Sequence, residues 1–511
     1  MDDAEASGEN EASSATASNV LLMFFRTRRT RRWLIYLASL FALFIVFSEV
    51  EVQQPVKESK PPQKKERRIT EVWNQPDPND IIPPPLLERT RLWWGTNVSA
   101  IPTTKIHRHV PGWTLMDNVY VFKGAMYIVS DKPEQDRIPQ IQNMISSGKP
   151  IRKEPGDEHR REPTDQNIQV ITSRRALQLF GQSVKRVEGT SFTIYEPSQY
   201  FSTGFRFVAE ILFGLWRTYS TLDLKIESDG RTTLPAPQRI ILPNIIASHW
   251  RDGRGLIARL LIMLFPSAHV QPAEAWSDYS DLANVAHIYD RILLADRAAA
   301  VRNSLEQGTP FALLTEQFYG STWWWEPIKR VLSNAIGREY SGSKALGRVN
   351  HKPVITYIAS QGQGGRTLHP DDHEDLVRQL NRLEGLYGYS IRVHQWSTLT
   401  LQDQMEIGRE SDILMAVHGD GLLPFIWMSQ SPVSSIIEFN SAEPEDELNE
   451  DYAWTASALN ISTYSLYGSS VVYKYPDHPR RHHDRTTPHT QHIKIDRNAV
   501  TALCVDILSR G

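Results

Sequence analysis

The chain has 511 residues, of which 40% are hydrophobic and 23% are charged, and its formal net charge is -3. This composition is typical of globular proteins and excludes disorder along the whole chain. The net charge gives no indication of a nucleic-acid partner. The single cysteine, Cys504, excludes an internal disulfide and a cysteine-based zinc site.

The N-terminal segment predicts a membrane anchor. Residues 1–32 predict a cytosolic tail that ends in an arginine-rich stretch, and residues 33–52 predict a transmembrane signal anchor. Trp33 to Ser48 carry no charge, a run of 16 residues that is slightly shorter than the roughly 17–25 of a spanning helix. Because the arginines precede this run, the positive-inside rule places the rest of the chain in the lumen. The alternative is a cleaved signal peptide, but the sequence has no A-x-A-like cleavage site after the apolar run, which favours the anchor.

The predicted location is the Golgi or ER membrane, with the lipid bilayer bound through residues 33–52. A short apolar span fits the thinner bilayers of the early secretory pathway. Asn97 and Asn460 each begin an N-x-[ST] sequence, so both are candidate glycosylation sites in a lumenal protein. Residues 53–90 are rich in Pro, Lys and Glu and predict an extended, disordered stem.

Ordered sequence begins near residue 91, and its elements alternate. The predicted strands of the first part are 119–122, 126–129, 168–172, 190–195, 239–243 and 288–294, and its helices are 205–219, 254–265 and 298–306. Alternating strands and helices predict an α/β domain, which we place at residues 91–335 and on the acceptor side.

A second α/β domain is predicted at residues 336–511, after a helix at 329–336. Its strands are 354–358, 390–394, 413–417 and 436–439, and its helices are 370–386 and 401–409. The predicted fold is therefore α/β, with two doubly wound Rossmann-like domains that face a cleft. The three tryptophans at 323–325 either stack on sugar rings or pack the domain interface.

Three groups at strand ends of the second domain predict a nucleotide site. The loop 361–367 follows one strand, the turn 418–421 follows another, and Glu438 ends the next. Glycine turns at the carboxyl ends of parallel strands let the backbone approach a phosphate, and a carboxylate there can bind ribose hydroxyls. Any one of the three groups could instead be structural, and the turn 418–421 could simply be a strand-to-helix turn that needs positive φ. The candidate donor-binding residues are Gln361, Gly362, Gly364, Arg366, His418, Gly419, Gly421 and Glu438.

Over roughly residues 91–500 the chain resembles the family 61 glycosyltransferases, in particular their fungal branch. The resemblance depends on several segments that occur in the same order and at similar spacing. These are 207–210 with Gly214 and Trp216, 250–252, 290–291, 295–299, 354–358 before Gln361-Gly362, 371–374, and 418–422 through Glu438.

The resemblance implies a type II glycosyltransferase of GT-B architecture, which transfers a sugar from a nucleotide donor, usually UDP-linked, with inversion. The acceptor would be a glycan, glycoprotein or glycolipid, and neither a cofactor nor an obligatory metal is implied. Family members carry a His followed four residues later by Asp or Glu, and here those positions are Arg206 and Glu210. Glu210 is thus the candidate general base. The alternative is an ordinary i,i+4 salt bridge between Arg206 and Glu210.

Three departures from the family pattern motivate a second hypothesis. Arg206 replaces a His, Ser360 stands where an Arg often precedes Gln361, and Asp420 occupies a turn position that is usually Ala. A carboxylate at that position would repel a diphosphate if it pointed inward. The alternative function is therefore a catalytically inactive lumenal scaffold, or a partner of an active transferase. A membrane-anchored hydrolase is a third hypothesis, but the chain lacks G-x-S-x-G and H-E-x-x-H.

Overall fold

In the computed structural model, contacts divide the chain into two units, Met1–Ile82 and Pro83–Gly511, and every described residue belongs to the second. The structure describes residues 90–510, with gaps at 151, 153, 155, 198, 200, 202–203, 205, 253–254, 282–284, 303–310, 341, 343–351, 363–365, 441–450, 468–470 and 477–491. The predicted tail, anchor and stem (1–90) fall almost entirely outside this part. No helix within it is long and apolar enough to span a bilayer.

The described part is mixed α/β with parallel sheets, as in Rossmann-like folds, and its main strands form two sheets. The first sheet contains β1 (Arg91–Trp93), β2 (Lys105–Val110), β3 (Trp113–Phe122), β4 (Ala125–Val129), β5 (Ile168–Ile171), β6 (Ser183–Ile194), β7 (Arg239–Ile241), β8 (His269–Gln271) and β9 (His287–Ala295).

The first sheet is mixed rather than fully parallel. Its order is β5-β4-β3-β9-β6-β7-β8, with β1 paired to β6 and β2 paired to β3. β3 is antiparallel to both β4 and β9, whereas β9, β6, β7 and β8 run parallel to one another. β3 and β4, predicted as strands at 119–122 and 126–129, form a hairpin: Lys123 and Gly124 both have positive φ, as a tight hairpin turn requires.

The second sheet has the order β12-β10-β13-β14-β15-β16 and is parallel except for its last pair. Its strands are β10 (Val354–Ala359), β12 (Ser390–Gln395), β13 (Ile413–Val417), β14 (Ser435–Asn440), β15 (Ser462–Tyr467) and β16 (Val471–Lys474), and a separate parallel pair is formed by β11 (Thr367–Leu368) and β17 (His492–Ile493). Every residue of β10, β13 and β14 is buried, as expected for strands covered on both faces.

The helices connect and cover the strands. They are α1 (Ile141–Met144), α2 (Asp157–Arg160), α3 (Ser173–Phe180), α4 (Phe213–Ser220), α5 (Leu256–Leu264), α6 (Ala273–Asp281), α7 (Arg297–Val301), α8 (Glu326–Ala335), α9 (Pro370–Tyr387), α10 (Leu401–Glu410), α11 (Asp451–Ala458) and α12 (Arg497–Ser509). A π-helix at Arg206–Leu212 leads directly into α4, and 3₁₀ helices lie at Val98–Ala100, Phe311–Gln317, Trp396–Thr398 and Asp420–Trp427.

Local sequence explains how the helices of the second sheet begin and end. α9 starts with Pro370 at its first position and two aspartates in its first turn, and it ends before Gly388 in the left-handed region. α10 begins with a capping box, in which Thr400 and Asp403 each bond to the backbone amide of the other. These ends place the loops that follow β10 and β12.

The largest hydrophobic cluster is shared by the two sheets. It contains Phe192 and Leu293 of the first sheet and Ile358 and Leu414 of the second.

Of the two roles considered for the tryptophans at 323–325, the structure favours packing and not stacking on sugar rings. Trp325 is fully buried and its indole N–H donates to the carbonyl of Ile426 at 3.0 Å. The domain boundary at 335/336 stays a prediction.

Candidate functional site

Three parallel strands of the second sheet end side by side. β13 pairs with β10 on one side and with β14 on the other, so Ile358, Ala416 and Glu438 lie in adjacent positions across the sheet. The chain leaves β10 through Gln361 and leaves β13 through His418. Both turns therefore lie at the carboxyl edge of the sheet, the edge where ligands bind in open α/β folds.

Backbone conformation requires glycine at two positions of this edge. Gly362 has a φ of +73° and Gly419 has a φ of +143°, and residues with a side chain rarely adopt either value. A Cβ at either position would meet nothing within 4 Å. Conformation rather than crowding selects glycine, and the backbone of both turns borders open space.

Gly421 brings the two turns together. A Cβ there would lie 3.5 Å from the Cβ of Ala416, 3.6 Å from Cγ2 of Ile358 and 4.0 Å from Oγ of Ser360. The turn after β13 thus packs over the end of β10. Asp420, one of the three departures from the family pattern, is exposed at the start of the 3₁₀ helix.

The half-buried His418 and the buried Glu438 form a dyad at this edge. Nδ1 of His418 lies 2.5 Å from Oε1 of Glu438, and Oε2 of Glu438 accepts a hydrogen bond from Oγ of Ser465 at 3.2 Å. A carboxylate only accepts, so Nδ1 donates and Nε2 is the ring nitrogen that faces away from Glu438. The ring of Tyr452 packs edge-on against the imidazole at 5.2 Å.

The structure corrects one prediction about Glu438. The strand does not end there but continues to Asn440, and Glu438 is only 3% exposed. Its carboxylate is turned toward His418 and Ser465. In this arrangement Glu438 orients the imidazole, and the predicted contact with ribose hydroxyls would be indirect.

The loop after β10 is tied to the neighbouring strands. The side-chain amide of Gln361 donates to the carbonyl of Leu368 at 3.0 Å, and Gln395 donates to the carbonyl of Gln361. Arg366 is half-buried directly before β11. Gly364 lies outside the described residues. The anchoring contacts hold the two ends of the predicted phosphate loop.

The first sheet carries a second group of charged residues at its own carboxyl edge. Ile194 and Ala295 lie opposite each other at the ends of the parallel strands β6 and β9. Glu196 and Arg297 follow two residues later. Nε of Arg297 lies 3.3 Å from Oε2 of Glu196, and Nη2 of Arg297 pairs with Oε2 of Glu210. One guanidinium therefore contacts two carboxylates.

This charge cluster (Glu196, Glu210 and Arg297) lies inside the protein. The side chain of Glu196 has no exposed surface, and those of Glu210 and Arg297 are 6% and 11% exposed. Burial raises the pKa of Glu196 to about 7, against the opposing effect of Arg297 and with a further upward contribution from the charge of Glu210. Burial also raises the pKa of Asp296, whose side chain caps α7.

The structure does not bring Arg206 and Glu210 together as the sequence predicted. Residues 206–212 form a π-helix and not the predicted α-helix. Arg206 is exposed and Glu210 is buried. Glu210 forms an ion pair with Arg297 of the neighbouring strand end, a partner that the spacing of Arg206 and Glu210 did not predict.

Aromatic contacts connect the elements that carry the two groups. Glu210 and Phe213 lie in the continuous helical stretch 206–220, and the ring of Phe213 lies 5.6 Å from that of Trp454. Trp454 shares α11 with Tyr452, which contacts His418. The charge cluster and the glycine turns are thus parts of one packed structure.

Glu196 and Arg297 were missed as functional candidates by the sequence analysis. The available signal was position: each follows a strand end by two residues, and ligand-binding groups concentrate at such ends in α/β folds. That signal becomes specific only when β6 and β9 are known to be parallel neighbours.

Both glycosylation sequences lie on the surface. Asn97 is exposed and its side-chain oxygen accepts a hydrogen bond from the amide of Ser99 at 3.1 Å. Asn460 is exposed in a turn between α11 and β15, with a φ of +56°. Each asparagine is accessible, and glycosylation of either stays a prediction.

Within the described ranges, no group of three or more His, Cys, Asp or Glu residues is arranged to hold a metal ion.

Comparison of the chain with models of known protein families finds no match, and a search of curated proteins finds no similar sequence.

Proposed function

We propose that this protein is an inverting glycosyltransferase that uses a nucleotide-sugar donor, with UDP as the expected nucleotide. The observation that carries the proposal is the pair of glycine turns, at Gly362 and Gly419, which border open space at one carboxyl edge of a parallel sheet. Backbone amides exposed by such turns bind phosphate groups.

The donor site would use charge and backbone together. Arg366 can pair with a diphosphate in a bidentate manner, and the amides near Gly362 and Gly419 can donate to its oxygens. His418 is held by Glu438 and Tyr452 in one orientation, and as an imidazolium, with both ring nitrogens protonated, it would donate from Nε2 to the departing group. These groups would offset the negative charge that develops on the diphosphate as the glycosidic bond breaks.

The acceptor side would lie near Glu210. In an inverting transfer, a base removes the proton of the acceptor hydroxyl, the oxygen bonds to the anomeric carbon, and the carbon–oxygen bond to the diphosphate breaks with its electron pair. Glu210 is the candidate base, and Arg297 restrains its carboxylate. GT-B architecture, the resemblance to family 61 glycosyltransferases and anchoring through residues 33–52 in the Golgi or ER are parts of the same proposal.

Calorimetric titration of the full-length protein with UDP and GDP, followed by hydrolysis assays with a panel of UDP-sugars, tests the donor site. We expect micromolar binding of UDP and slow donor hydrolysis, with binding weakened by Arg366→Ala and hydrolysis lost in Glu210→Gln. Gly385→Ala is the matched control, because Gly385 lies on α9 with nothing near its Cβ position. A well-folded protein that binds neither nucleotide nor any donor would contradict the proposal.

A second candidate, a non-catalytic protein of the same fold, is favoured by one observation. Glu210 is buried and ion-paired with Arg297, and a base must be able to reach its substrate. This candidate predicts nucleotide binding without turnover of any donor. The triple change Arg206→His, Ser360→Arg and Asp420→Ala would then restore turnover, whereas strong activity of the wild-type protein would exclude it.

A further inference from the structure

Glu196 is the member of the charge cluster that the proposed function does not use. It follows β6 directly, it is fully buried, and its Oε2 contacts the same guanidinium that holds Glu210. Its other oxygen, Oε1, has no hydrogen-bond partner among the described residues. A buried carboxylate oxygen without a donor is unfavourable when ionised, so this environment favours the neutral acid.

We propose that Glu196 is a positioning residue, which governs through Arg297 how firmly Glu210 is held. The catalytic consequence depends on the proposed function, but the coupling between the three side chains depends only on their geometry. The titratable and charged groups that face Glu196 are Arg297 and Asp296, next to or at the start of α7, and Glu210 on the π-helix.

The coupling follows from sharing one positive charge between two carboxylates. When Glu196 is neutral, the positive charge of Arg297 acts mainly on Glu210, and the guanidinium holds the Glu210 carboxylate firmly. When Glu196 is ionised, it competes for Arg297 and adds a second negative charge beside Glu210. Ionisation of Glu196 therefore loosens the hold of Arg297 on Glu210 and frees that carboxylate to reach the acceptor hydroxyl.

The pH range of this effect follows from the pKa of Glu196. Its pKa is raised to about 7 by burial, so its ionised fraction rises about tenfold between pH 6 and pH 8. We expect donor hydrolysis and transfer to rise with pH over this interval by a similar factor. Glu196→Gln keeps a neutral side chain of the same shape, so this variant should stay at the low-pH rate.

A second readout does not require activity. In the folded protein the pKa of Glu196 is about 7, above its usual value of 4.5. The folded state then retains a proton that the unfolded chain has released, and stability falls as pH rises from 4.5 to 7. Glu196→Gln has no carboxyl group at this position, so its stability should not fall in this way. The Tm of the variant minus the Tm of the wild type should therefore increase by a few degrees between pH 4.5 and pH 7.

The experiment measures Tm against pH from 4.5 to 8 for the full-length wild type, Glu196→Gln, Glu210→Gln and the control Glu188→Gln. Glu188 is an exposed glutamate on β6, the strand that precedes Glu196, so the Tm of its variant should follow the wild-type curve. Glu210→Gln removes one negative charge and leaves Arg297 to Glu196. The inflection of its curve should therefore move to lower pH, which a purely structural role of Glu196 does not predict.

The outcomes separate this inference from the proposed function. Parallel Tm curves for wild type and Glu196→Gln, or an inflection that Glu210→Gln does not move, would overturn the coupling. A fall of the wild-type Tm that Glu196→Gln lacks, with an inflection that Glu210→Gln moves to lower pH, would support the coupling; in a protein that hydrolyses no donor it would also count against the transferase. A pH-dependent rise in hydrolysis that persists in Glu196→Gln would contradict control of Glu210 by Glu196.

Discussion

The carboxyl edges of the two sheets are built in opposite ways. At the edge of the first sheet, Glu196, Glu210 and Arg297 are packed into the interior, and their charges are matched to one another. At the edge of the second sheet, Gly362 and Gly419 expose backbone beside open space. Buried charges need nearby partners, whereas a backbone turn can leave its amides to a ligand. In our proposals the second edge therefore binds an anion and the first controls a proton.

The largest expected effect is loss of the shared cation. Arg297→Met leaves two carboxylates buried without a positive partner, which should reduce the free energy of unfolding by about 3–5 kcal/mol. Chemical denaturation measures this change. Arg186→Met is the control, because Arg186 pairs with Asp290 at the surface and its loss should cost at most about 1 kcal/mol. Equal losses in the two variants would show that the first edge is not a buried charge site.

The next effect tests the open edge. Gly419→Ala places a side chain at a φ of +143°, where strain should cost about 1–3 kcal/mol although no atom obstructs the new Cβ. We also expect weaker UDP binding, since the turn that presents the amides is distorted. In the control Gly385→Ala, inside α9, stability should be unchanged or increased by about 1 kcal/mol. Unaltered UDP affinity in Gly419→Ala would remove this turn from the donor site.

The smallest effect concerns the support of the dyad. Ser465→Ala removes the hydroxyl that donates to Oε2 of Glu438 and should destabilise the protein by about 0.5–1.5 kcal/mol. Because Glu438 orients His418, UDP affinity should fall as well. Ser509→Ala, at the exposed end of α12, is the control for stability. A Ser465→Ala protein with wild-type affinity would show that the orientation of His418 does not depend on this hydrogen bond.

Many elements could be predicted from the sequence because their signals are local. The buried run at 413–417 is β13 at the predicted residues, and Pro370 with its following aspartates starts α9 as expected. The predicted helix at 205–219 corresponds to the helical stretch 206–220. Its first half is a π-helix, however, in which Arg206 is exposed and Glu210 is buried. Apolar spacing indicates a helix but does not distinguish its hydrogen-bond register.

Local sequence patterns could not predict which strands are neighbours in the sheets. Alternation along the chain predicts strands and helices, yet the antiparallel position of β3 between β4 and β9 depends on pairing over more than a hundred residues. A separate parallel pairing sets β6 beside β9 and so brings Glu196 to Arg297. The same limit explains Glu438, which only the register of β14 against β13 places beside His418.

The sequence by itself determined the α/β class, the buried parallel strands and the glycine turns, because hydrophobic periodicity and the conformational freedom of glycine act over a few residues. Tertiary structure alone decided which charges meet. Glu196, Glu210 and Arg297 come from three separate segments, and their burial and the raised pKa of Glu196 arise only when the two strand ends and the π-helix pack together. Electrostatic interactions depend on distance in space and on exclusion of water, and neither is encoded in the local sequence.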